Sequence, residues 1–415
     1  MEKELLFMNV LNNTTDACID CSDKTILVTG AAGFIGYYLC RAILLQNQTV
    51  RVVGFDNLND YYDVTLKEER LRLLREAAKT EEEKGEMAEG NTTRNNDKKS
   101  DDKRNDNKRN DNKRNDDKRN DDKRFFFVKG NLQDSAAVQK VFSDYQPDIV
   151  VHLAAQAGVR YSVTNPEVYM ETNLMGFFYM LEACRHSYDN GKKGVEHFIY
   201  ASSSSVYGTN KKVPYSTEDK ADHPASLYAA TKKADELLAY TYSRLYKIPV
   251  TGLRFFTVYG PLGRPDMAYF GFTNKLVRGE KIQLFNYGDM YRDFTYIDDI
   301  ITGTLKVLKK PPKKSEDGAC AKIYNIGGSR PESLKNFVKT LESCLLAENI
   351  IQKPAEIELL PMQQGDVYQT FADVTELEKD FGFRPEITLE EGLARYARWY
   401  RTYYLEKGQD TKRSL

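Results

Sequence analysis

The sequence predicts an α/β protein with a doubly wound parallel sheet and a smaller mixed α/β lobe beyond it. The first observation is a unit of strand, glycine-rich turn, helix and strand at residues 24–56. The second is the alternation of apolar strands with helices, which continues as far as residue 261. The third is the loss of this regular pattern after Gly260. A chain of 415 residues also exceeds the usual length of a single core, which favours two lobes.

The first unit is typical of a dinucleotide-binding turn. The β-branched run KTILVT predicts a buried strand, and the turn GAAGFIG, a helix and a second strand follow it. Gly30, Gly33 and Gly36 allow a tight turn, close approach of a pyrophosphate and close packing of the helix on the strand. Asp56, at the end of the second strand, can accept the ribose hydroxyls of NAD and would repel the extra phosphate of NADP. This unit predicts a Rossmann-type domain that binds NAD.

The same alternation predicts the elements that follow. Apolar runs indicate strands at 125–132, 147–155, 196–208 and 249–261, and helices are expected at 66–78 and 167–186. We therefore divide the sequence into an extension at 1–22, the Rossmann domain at 23–257 and a substrate-binding lobe at 258–415. The second lobe holds candidate strands at KIQLF and IYNIGG and a C-terminal helix with the only tryptophan, Trp399.

A charged segment interrupts the predicted Rossmann domain. From residue 97 to residue 124 the chain is almost entirely Asp, Asn, Lys and Arg, with 12 basic against 9 acidic residues and hence a net charge of +3. Because it has no aliphatic or aromatic side chain, it cannot bury enough apolar surface to offset the entropy of ordering. We predict a disordered surface loop at about 79–123, and we expect deletion of 97–124 to leave activity nearly unchanged.

Composition excludes several classes of protein. The net charge of −1 predicts affinity for neither nucleic acid nor membranes, and no apolar run reaches the roughly 18 residues that a membrane span requires. The N-terminus lacks the basic start and apolar core of a secretory signal. Cys18 and Cys21 form a CxxC pair, but no second pair follows at zinc spacing, so no metal site is predicted. Six scattered cysteines suit a reducing compartment, and we expect the protein to be cytoplasmic.

The segment YAATK contains the best candidate for a proton-transfer site. Tyr228 and Lys232 are four residues apart and lie on one face of a predicted helix. Free tyrosine titrates near ~10, so it is a poor base at neutral pH unless a positive neighbour favours its phenolate. Lys232 is such a neighbour. Ser203 lies where a strand ends at the carboxyl edge of the sheet, where its hydroxyl could share the proton of a substrate alcohol.

Together these motifs resemble the extended short-chain dehydrogenase/reductase family. The segments GVRYS, GRPDMA and RDFTYIDDI are narrower and resemble the UDP-glucuronate 4-epimerases in particular. The resemblance implies a bound NAD that is reduced and reoxidised within each turnover. Tyr228 would take the proton of the sugar 4-hydroxyl, Lys232 would also hold the nicotinamide ribose, and Ser203 would orient the 4-oxygen. The implied reaction interconverts UDP-glucuronate and UDP-galacturonate through a 4-keto sugar.

The resemblance also implies which residues bind the two ligands. Cofactor contacts are expected from the glycine turn, from the ends of the strands and from the catalytic helix, at Gly30, Gly33, Phe34, Ile35, Gly36, Asp56, Asn57, Asn131, Leu132, Ala154, Ala155, Gln156, Asn173, Tyr228 and Lys232. Substrate contacts are expected to the sugar carboxylate, the diphosphate, the uracil and the uridine ribose, at Arg160, Ser204, Ser205, Thr257, Arg264, Phe285, Arg292 and Asp366. Relatives also form homodimers through the helix of Tyr228 and the helix near Asn173, which implies the same here.

The sequence departs from the family pattern at the adenine site and leaves other reactions open. Asn131 stands where relatives usually have Asp, but its amide oxygen can still accept a hydrogen bond. A UDP-glucuronate decarboxylase is the nearest alternative. Related decarboxylases carry an acidic residue where Ser204 and Ser205 stand, which favours epimerisation. A 4-epimerase of neutral UDP-hexoses is disfavoured by GVRYS and GRPDMA. A non-catalytic NAD-binding scaffold is disfavoured because the serine, tyrosine and lysine are all present.

Overall fold

The computed structural model describes residues 18–79, 124–363 and 367–406. Twelve strands occur in these ranges: β1 (Thr25–Thr29), β2 (Arg51–Asp56), β3 (Phe125–Lys129), β4 (Ile149–His152), β5 (His197–Ser203), β6 (Val250–Phe255), β7 (Thr257–Tyr259), β8 (Ile282–Leu284), β9 (Tyr291–Tyr296), β10 (Ala321–Ile326), β11 (Pro331–Ser333) and β12 (Ile357–Leu359). Residues 80–123 of the charged loop predicted at about 79–123, and residues 1–17 of the predicted extension, lie outside the described ranges.

The same ranges contain twelve α-helices. They are α1 (Phe34–Gln46), α2 (Val64–Ala77), α3 (Ser135–Tyr145), α4 (Tyr161–Thr164), α5 (Pro166–Tyr169), α6 (Gly176–His186), α7 (Leu227–Tyr246), α8 (Ala268–Val277), α9 (Ile297–Leu308), α10 (Leu334–Ala347), α11 (Thr375–Phe381) and α12 (Leu389–Tyr400). A π-helical segment, Met170–Met175, joins α5 to α6, and a second, Arg401–Glu406, continues α12. The predicted helix at 167–186 is therefore continuous but locally widened at the segment that carries Asn173. None of the helices in the described ranges combines the length and apolar character that a bilayer crossing demands.

Seven parallel strands form the central sheet. Their order is β10, β6, β5, β4, β1, β2, β3, and the chain runs outward from β1 first in one direction and then in the other. All residues of β1 and of β6 are buried, which explains why these strands are almost continuously apolar in the sequence. The predicted doubly wound parallel sheet is confirmed. The chain adds β2 and β3 on one side of β1 and then β4 on the other side, so the strand order reverses between β1 and β4. Ligands of such sheets bind in the crevice at this reversal.

Two small sheets lie beyond the large one. One contains β11, β9 and β7, and the other pairs β12 with β8. Between β9 and β11 in the sequence, β10 returns to the large sheet. It pairs in parallel with β6, with Ala321 opposite Val250. The boundary at residue 257 stays a prediction. The strand IYNIGG, which we had placed with the second lobe, belongs to the Rossmann sheet, because its backbone completes the open edge of β6.

Arg124 belongs to the fold rather than to the charged insert. Its guanidinium donates hydrogen bonds to the carbonyls of Leu44 and Asn47 at the end of α1, and to those of Ala77 and Ala78 at the end of α2. These carbonyls lie in last turns whose backbone acceptors lack helical partners. Deletion of 97–124, which we expect to leave activity nearly unchanged, thus also removes a charged donor that joins two helix ends.

Two deletions that differ by this single arginine test the point. Deletion of 97–123 is expected to leave both stability and turnover nearly unchanged. Deletion of 97–124 is expected to cost about 2 kcal/mol in the free energy of unfolding, since hydrogen bonds to a charged group contribute about 1.5–3 kcal/mol. Urea unfolding of the two proteins measures the difference. Equal midpoints would show that Arg124 contributes nothing to the fold.

Candidate active site

A cleft of about 270 Å³ follows the carboxyl ends of the central strands. The glycine turn forms one wall. Gly30 has a φ of +71°, and a Cβ there would lie 2.9 Å from the backbone nitrogen of Ala154 on the loop after β4. A Cβ on Gly36 would lie 2.1 Å from the carbonyl oxygen of Gly30. The backbones of β1, α1 and the β4 loop approach so closely that only glycine fits, and this leaves room for a phosphate group at the start of α1.

Asp56 lies at the end of β2 and is held rigidly. Its Oδ2 accepts the backbone N–H of Ala32 at 3.1 Å, and its Oδ1 accepts that of Leu58 at 2.9 Å. Each carboxylate oxygen can accept more than one hydrogen bond, so both remain able to receive a ribose hydroxyl. The glycine turn and this fixed acid match the requirements of NAD.

The predicted catalytic residues line the same cleft. Ser203 ends β5, and its Oγ accepts the N–H of Ser205 at 3.2 Å. Tyr228 lies in the first turn of α7, where Ser226 caps the helix by accepting the N–H of Ala229 at 3.1 Å. Lys232 follows one turn later. The structure thus brings the three residues to the strand ends that also carry the NAD-binding turn.

The predicted cofactor residues line this cleft with one exception. The exception is Asn173, whose amide faces the protein interior. It accepts the N–H of Gln156 at 2.8 Å, and it donates to the Gln156 carbonyl and to the Thr231 hydroxyl at 3.1 Å each. These bonds use the amide to attach the loop after β4 to α7. The cofactor residues on the cleft wall are Gly30, Gly33, Phe34, Ile35, Gly36, Asp56, Asn57, Asn131, Leu132, Ala154, Ala155, Gln156, Tyr228 and Lys232.

Arg264 is the one predicted substrate-binding residue that lines this cleft among those described. Its guanidinium is paired with Asp266, with Nε 3.0 Å from Oδ1. Arg160 lies over the ring of Phe285, with 5.0 Å between its guanidinium carbon and the ring centre, so these two predicted residues do meet. Arg292 donates to the carbonyls of Tyr291 and Tyr368. Ser204, Ser205 and Thr257 begin the segments that follow β5 and β6, and Asp366 lies outside the described residues.

Sequence reasoning missed the loop and helix that face Asp56. Lys67 of α2 is buried, and its Nζ donates at 2.6 Å to both the backbone and the side-chain oxygen of Asn59. Burial lowers the pKa of Lys67 to about 8, while the negative charge of Asp56 opposes this effect. Tyr61, Tyr62 and Lys67 all line the cleft. A usable signal existed, because NLNDYYD directly follows Asp56 at the ligand-binding edge of the sheet.

A buried ion pair fastens the catalytic helix to the sheet. Arg254 of β6 donates from Nε and from a terminal nitrogen to the two carboxylate oxygens of Glu236 on α7, at 2.8 Å each. Both side chains are only 2% exposed, and the Ser202 hydroxyl of β5 also donates to Glu236 at 2.6 Å. The guanidinium lies 4.8 Å from the ring centre of Tyr207. This network holds α7 against the strand end that carries Ser203.

Comparisons with known proteins show the family of this chain. Residues 26–327 match the NAD dependent epimerase/dehydratase family. The chain is 43% identical to Protein CapI of Staphylococcus aureus over 91% of this chain and 99% of that protein. It is 39% identical to UDP-glucuronate 4-epimerase 3 of Arabidopsis thaliana, over 92% of this chain and 77% of that protein.

A similar solved structure is UDP-glucuronic acid 4-epimerase from Bacillus cereus in complex with UDP-glucuronic acid and NAD. It has a TM-score of 0.69 and 30% identity, and the match covers 92% of this chain and all of that one. These findings confirm the resemblance drawn from the motifs. The protein belongs to the NAD dependent epimerase/dehydratase family.

Proposed function

We propose that this protein is an NAD-dependent UDP-glucuronate 4-epimerase, which interconverts UDP-glucuronate and UDP-galacturonate through a 4-keto sugar. One observation carries the proposal: a single cleft is lined by the glycine turn and Asp56 and also by Ser203, Tyr228 and Lys232. Relatives that bear this enzyme's name, and a solved structure of such an enzyme with both ligands, match over more than nine-tenths of this chain.

The cofactor would lie along the carboxyl ends of the strands. The turn at Gly30, Gly33 and Gly36 would receive the pyrophosphate, Asp56 the adenosine ribose, and Asn131 the adenine. Lys67 would hold the loop that faces that ribose, through its bonds to Asn59. When bound, NAD supplies an acceptor for the C4 hydride and a donor that returns it to the other face of the sugar. The remaining contacts of the cofactor come from the cleft residues named above.

Tyr228 would act as the base in the oxidation and as the acid in the reduction. It removes the proton of the sugar 4-hydroxyl and gives it back after the sugar has turned over. The Lys232 ammonium, one helical turn away, favours the phenolate form that this step needs. The Ser203 hydroxyl donates to or accepts from the same sugar oxygen, and its position is set because the N–H of Ser205 bonds to its Oγ.

The UDP-uronic acid would lie between the cofactor and the lobe at 258–415. Arg264 and Arg292 offer guanidinium groups to the diphosphate. Ser204, Ser205 and Thr257 offer hydroxyls to the sugar carboxylate. Phe285, with Arg160 over its ring, offers a flat surface to the uracil, and Asp366 would accept from the uridine ribose. Because Asp266 already neutralises Arg264, substrate binding requires the diphosphate to compete with that carboxylate.

The position of the acid in the cleft favours epimerisation over decarboxylation. Asp56 is the one carboxylate among the described residues on the cleft wall, and it lies at the cofactor end of the site. A decarboxylase of this family pattern would need an acidic residue next to Ser203, where this chain has Ser204 and Ser205. Among the described residues, the cleft wall thus offers Tyr228 for proton exchange with the 4-oxygen and no carboxylate beside it.

Incubation of the purified protein with UDP-glucuronate, without added NAD, tests the proposal. Proton NMR is expected to show a mixture of UDP-glucuronate and UDP-galacturonate, because NAD is regenerated in each turnover. UDP-pentose and carbon dioxide would replace the proposal by the decarboxylase. Unchanged UDP-glucuronate, with NAD supplied, would favour a neutral UDP-hexose as the substrate, or a protein without catalysis.

We also propose a homodimer and a cytoplasmic location. Helix α7 exposes several large apolar side chains, namely Leu237, Tyr240, Leu245 and Tyr246, and Met170 and Met175 of the neighbouring π-helical segment are exposed as well. A second copy of this face would bury them. Light scattering at micromolar concentration distinguishes a dimer from a monomer. All six cysteines lie in the described ranges and none of them forms a disulfide, as expected in a reducing compartment.

A further inference from the structure

A second carboxylate lies beneath the catalytic cleft, in direct contact with Lys232. The Lys232 ammonium donates to Oδ2 of Asp235 at 3.1 Å. The two side chains are 3% and 0% exposed. No hydrogen-bond partner among the described residues reaches the other oxygen of Asp235, Oδ1. A fully buried carboxylate with an unsatisfied oxygen costs free energy, so its presence indicates a role other than stability.

The position of Asp235 on the helix relates it to the base as well as to the lysine. Residues 228, 232 and 235 are spaced by four and three, so they follow one another along one face of α7. At a rise of about 1.5 Å per residue, Asp235 is about 10 Å from Tyr228 along the axis, with Lys232 between them. Lys232 therefore lies along this face between the proposed base and Asp235, and its ammonium contacts the carboxylate.

We propose that Asp235 is a positioning residue of the catalytic site, which holds the Lys232 ammonium at the floor of the cleft and offsets part of its positive charge. The inference rests on the roles proposed above for Tyr228 and Lys232. Ionisation of Asp235 disfavours the Tyr228 phenolate, and loss of that charge favours it, since the two anions compete for one cation.

The groups around Asp235 leave its charge free to act in this way. Burial raises the pKa of Asp235 to about 7, although the Lys232 ammonium acts in the opposite direction. It therefore loses its proton near neutral pH. On its own helix, Glu236 is engaged by Arg254 of β6 and by Ser202 of β5. Two buried groups near α7 are His152 of β4, whose pKa is lowered to about 3 by burial, and Tyr200 of β5, whose pKa is raised by burial. Glu182 of α6 is partly exposed and is paired with Arg185.

Asp235→Asn tests the proposal, because it removes the charge and keeps the shape. The acid limb of turnover against pH is expected to move to lower pH by up to about one unit, as for one charge about 10 Å away at an effective dielectric constant of about 20. The limb should also sharpen to a single-proton transition, since two coupled acids become one. Asp235→Ser removes the same charge with a smaller side chain and should shift the limb in the same direction, which keeps the test available if the amide is not tolerated.

Glu182→Gln is the matched control. It also removes one negative charge from a group bonded to α7, through the Tyr242 hydroxyl, and does not touch Lys232. Its acid limb is expected to coincide with that of the unaltered enzyme. A limb of the same position and shape in the Asp235 variants, with a lower rate at every pH, would overturn the proposal and leave Asp235 a structural residue.

A second readout separates this proposal from the proposed reaction. In the NAD-loaded protein without substrate, ionisation of Tyr228 is measured as the difference in phenolate absorbance between the protein and its Tyr228→Phe variant. That variant lacks one of the 27 tyrosines. Asp235→Asn should shift that phenolate titration to lower pH. A shift without UDP-glucuronate turnover would refute the substrate and retain the role of Asp235. Turnover of UDP-glucuronate without such a shift would support the substrate and refute the role of Asp235.

Discussion

Tyr228→Phe is expected to lower the turnover of UDP-glucuronate by about 10²- to 10⁴-fold, the usual contribution of a positioned acid–base group. In the proposed mechanism this phenol exchanges a proton with the 4-oxygen of the sugar, and Lys232 follows it one helical turn later. The change removes one oxygen and leaves the ring, which lies edge-on to Tyr169 at 6.1 Å, in place. Rates from NMR and NAD content after denaturation measure the two effects, and NAD is expected to be retained.

Tyr240→Phe is the control for this variant. Tyr240 lies on the same helix, but its hydroxyl bonds to Asp317 at the surface. Loss of this hydroxyl should leave turnover within about a factor of two of that of the unaltered enzyme, because Tyr240 is not among the residues that line the cleft. Turnover of Tyr228→Phe at the rate of the unaltered enzyme would remove the tyrosine from its proposed role.

Arg254→Leu is expected to destabilise the protein by about 3–5 kcal/mol, because it leaves the buried carboxylate of Glu236 without its partner. Both groups are 2% exposed, so water cannot replace the lost hydrogen bonds. Glu236 has its pKa held below its usual range by Arg254, although burial acts against this. The free energy of unfolding in urea measures the loss. Turnover should fall as well, since the pair fixes α7 relative to β5.

The double variant Glu236→Leu with Arg254→Leu separates the effect of an unpaired buried charge from the effect of lost packing. If the loss comes from an unpaired buried charge, removal of both partners should restore much of the stability. The exposed pair of Lys140 and Asp144 offers a comparison, with 74% and 44% of the side chains exposed. Lys140→Ala should change the free energy of unfolding much less than Arg254→Leu does, because water screens and replaces an exposed ion pair. A loss of that small size in Arg254→Leu would show that the buried pair does not stabilise α7.

The parts of the fold that the sequence predicts are those determined by neighbouring residues. The glycine turn, the buried strands and the helix of Tyr228 each follow from a pattern shorter than one structural element. The joining of β10 to β6 does not, because strands some 70 residues apart pair through backbone groups that leave no mark on side-chain alternation. Arg124 shows a similar limit: its residue type matches the charged repeat, and only the folded chain brings it to two helix ends.

The candidate site divides in the same way. The cofactor residues follow one another at strand ends, so the topology alone assembles nearly all of them. Asn173 was an exception because a side chain's direction within a helix depends on what it can bond to, here Gln156 and Thr231. The arginines expected at the diphosphate, Arg264 and Arg292, come from separate segments beyond residue 257, and their partners Asp266 and Tyr368 could not be read from spacing.

The return of β10 to the large sheet affects how this enzyme can be engineered. The substrate-binding part is not a cassette at the end of the chain, because the Rossmann sheet needs a strand from beyond it. A fragment cut after residue 257 would expose the edge of β6, a hydrophobic strand prone to aggregation. A chimaera with a new sugar specificity must therefore exchange an internal segment and rejoin the parent chain before Ala321, with both junctions matched to the ends of β6 and β10.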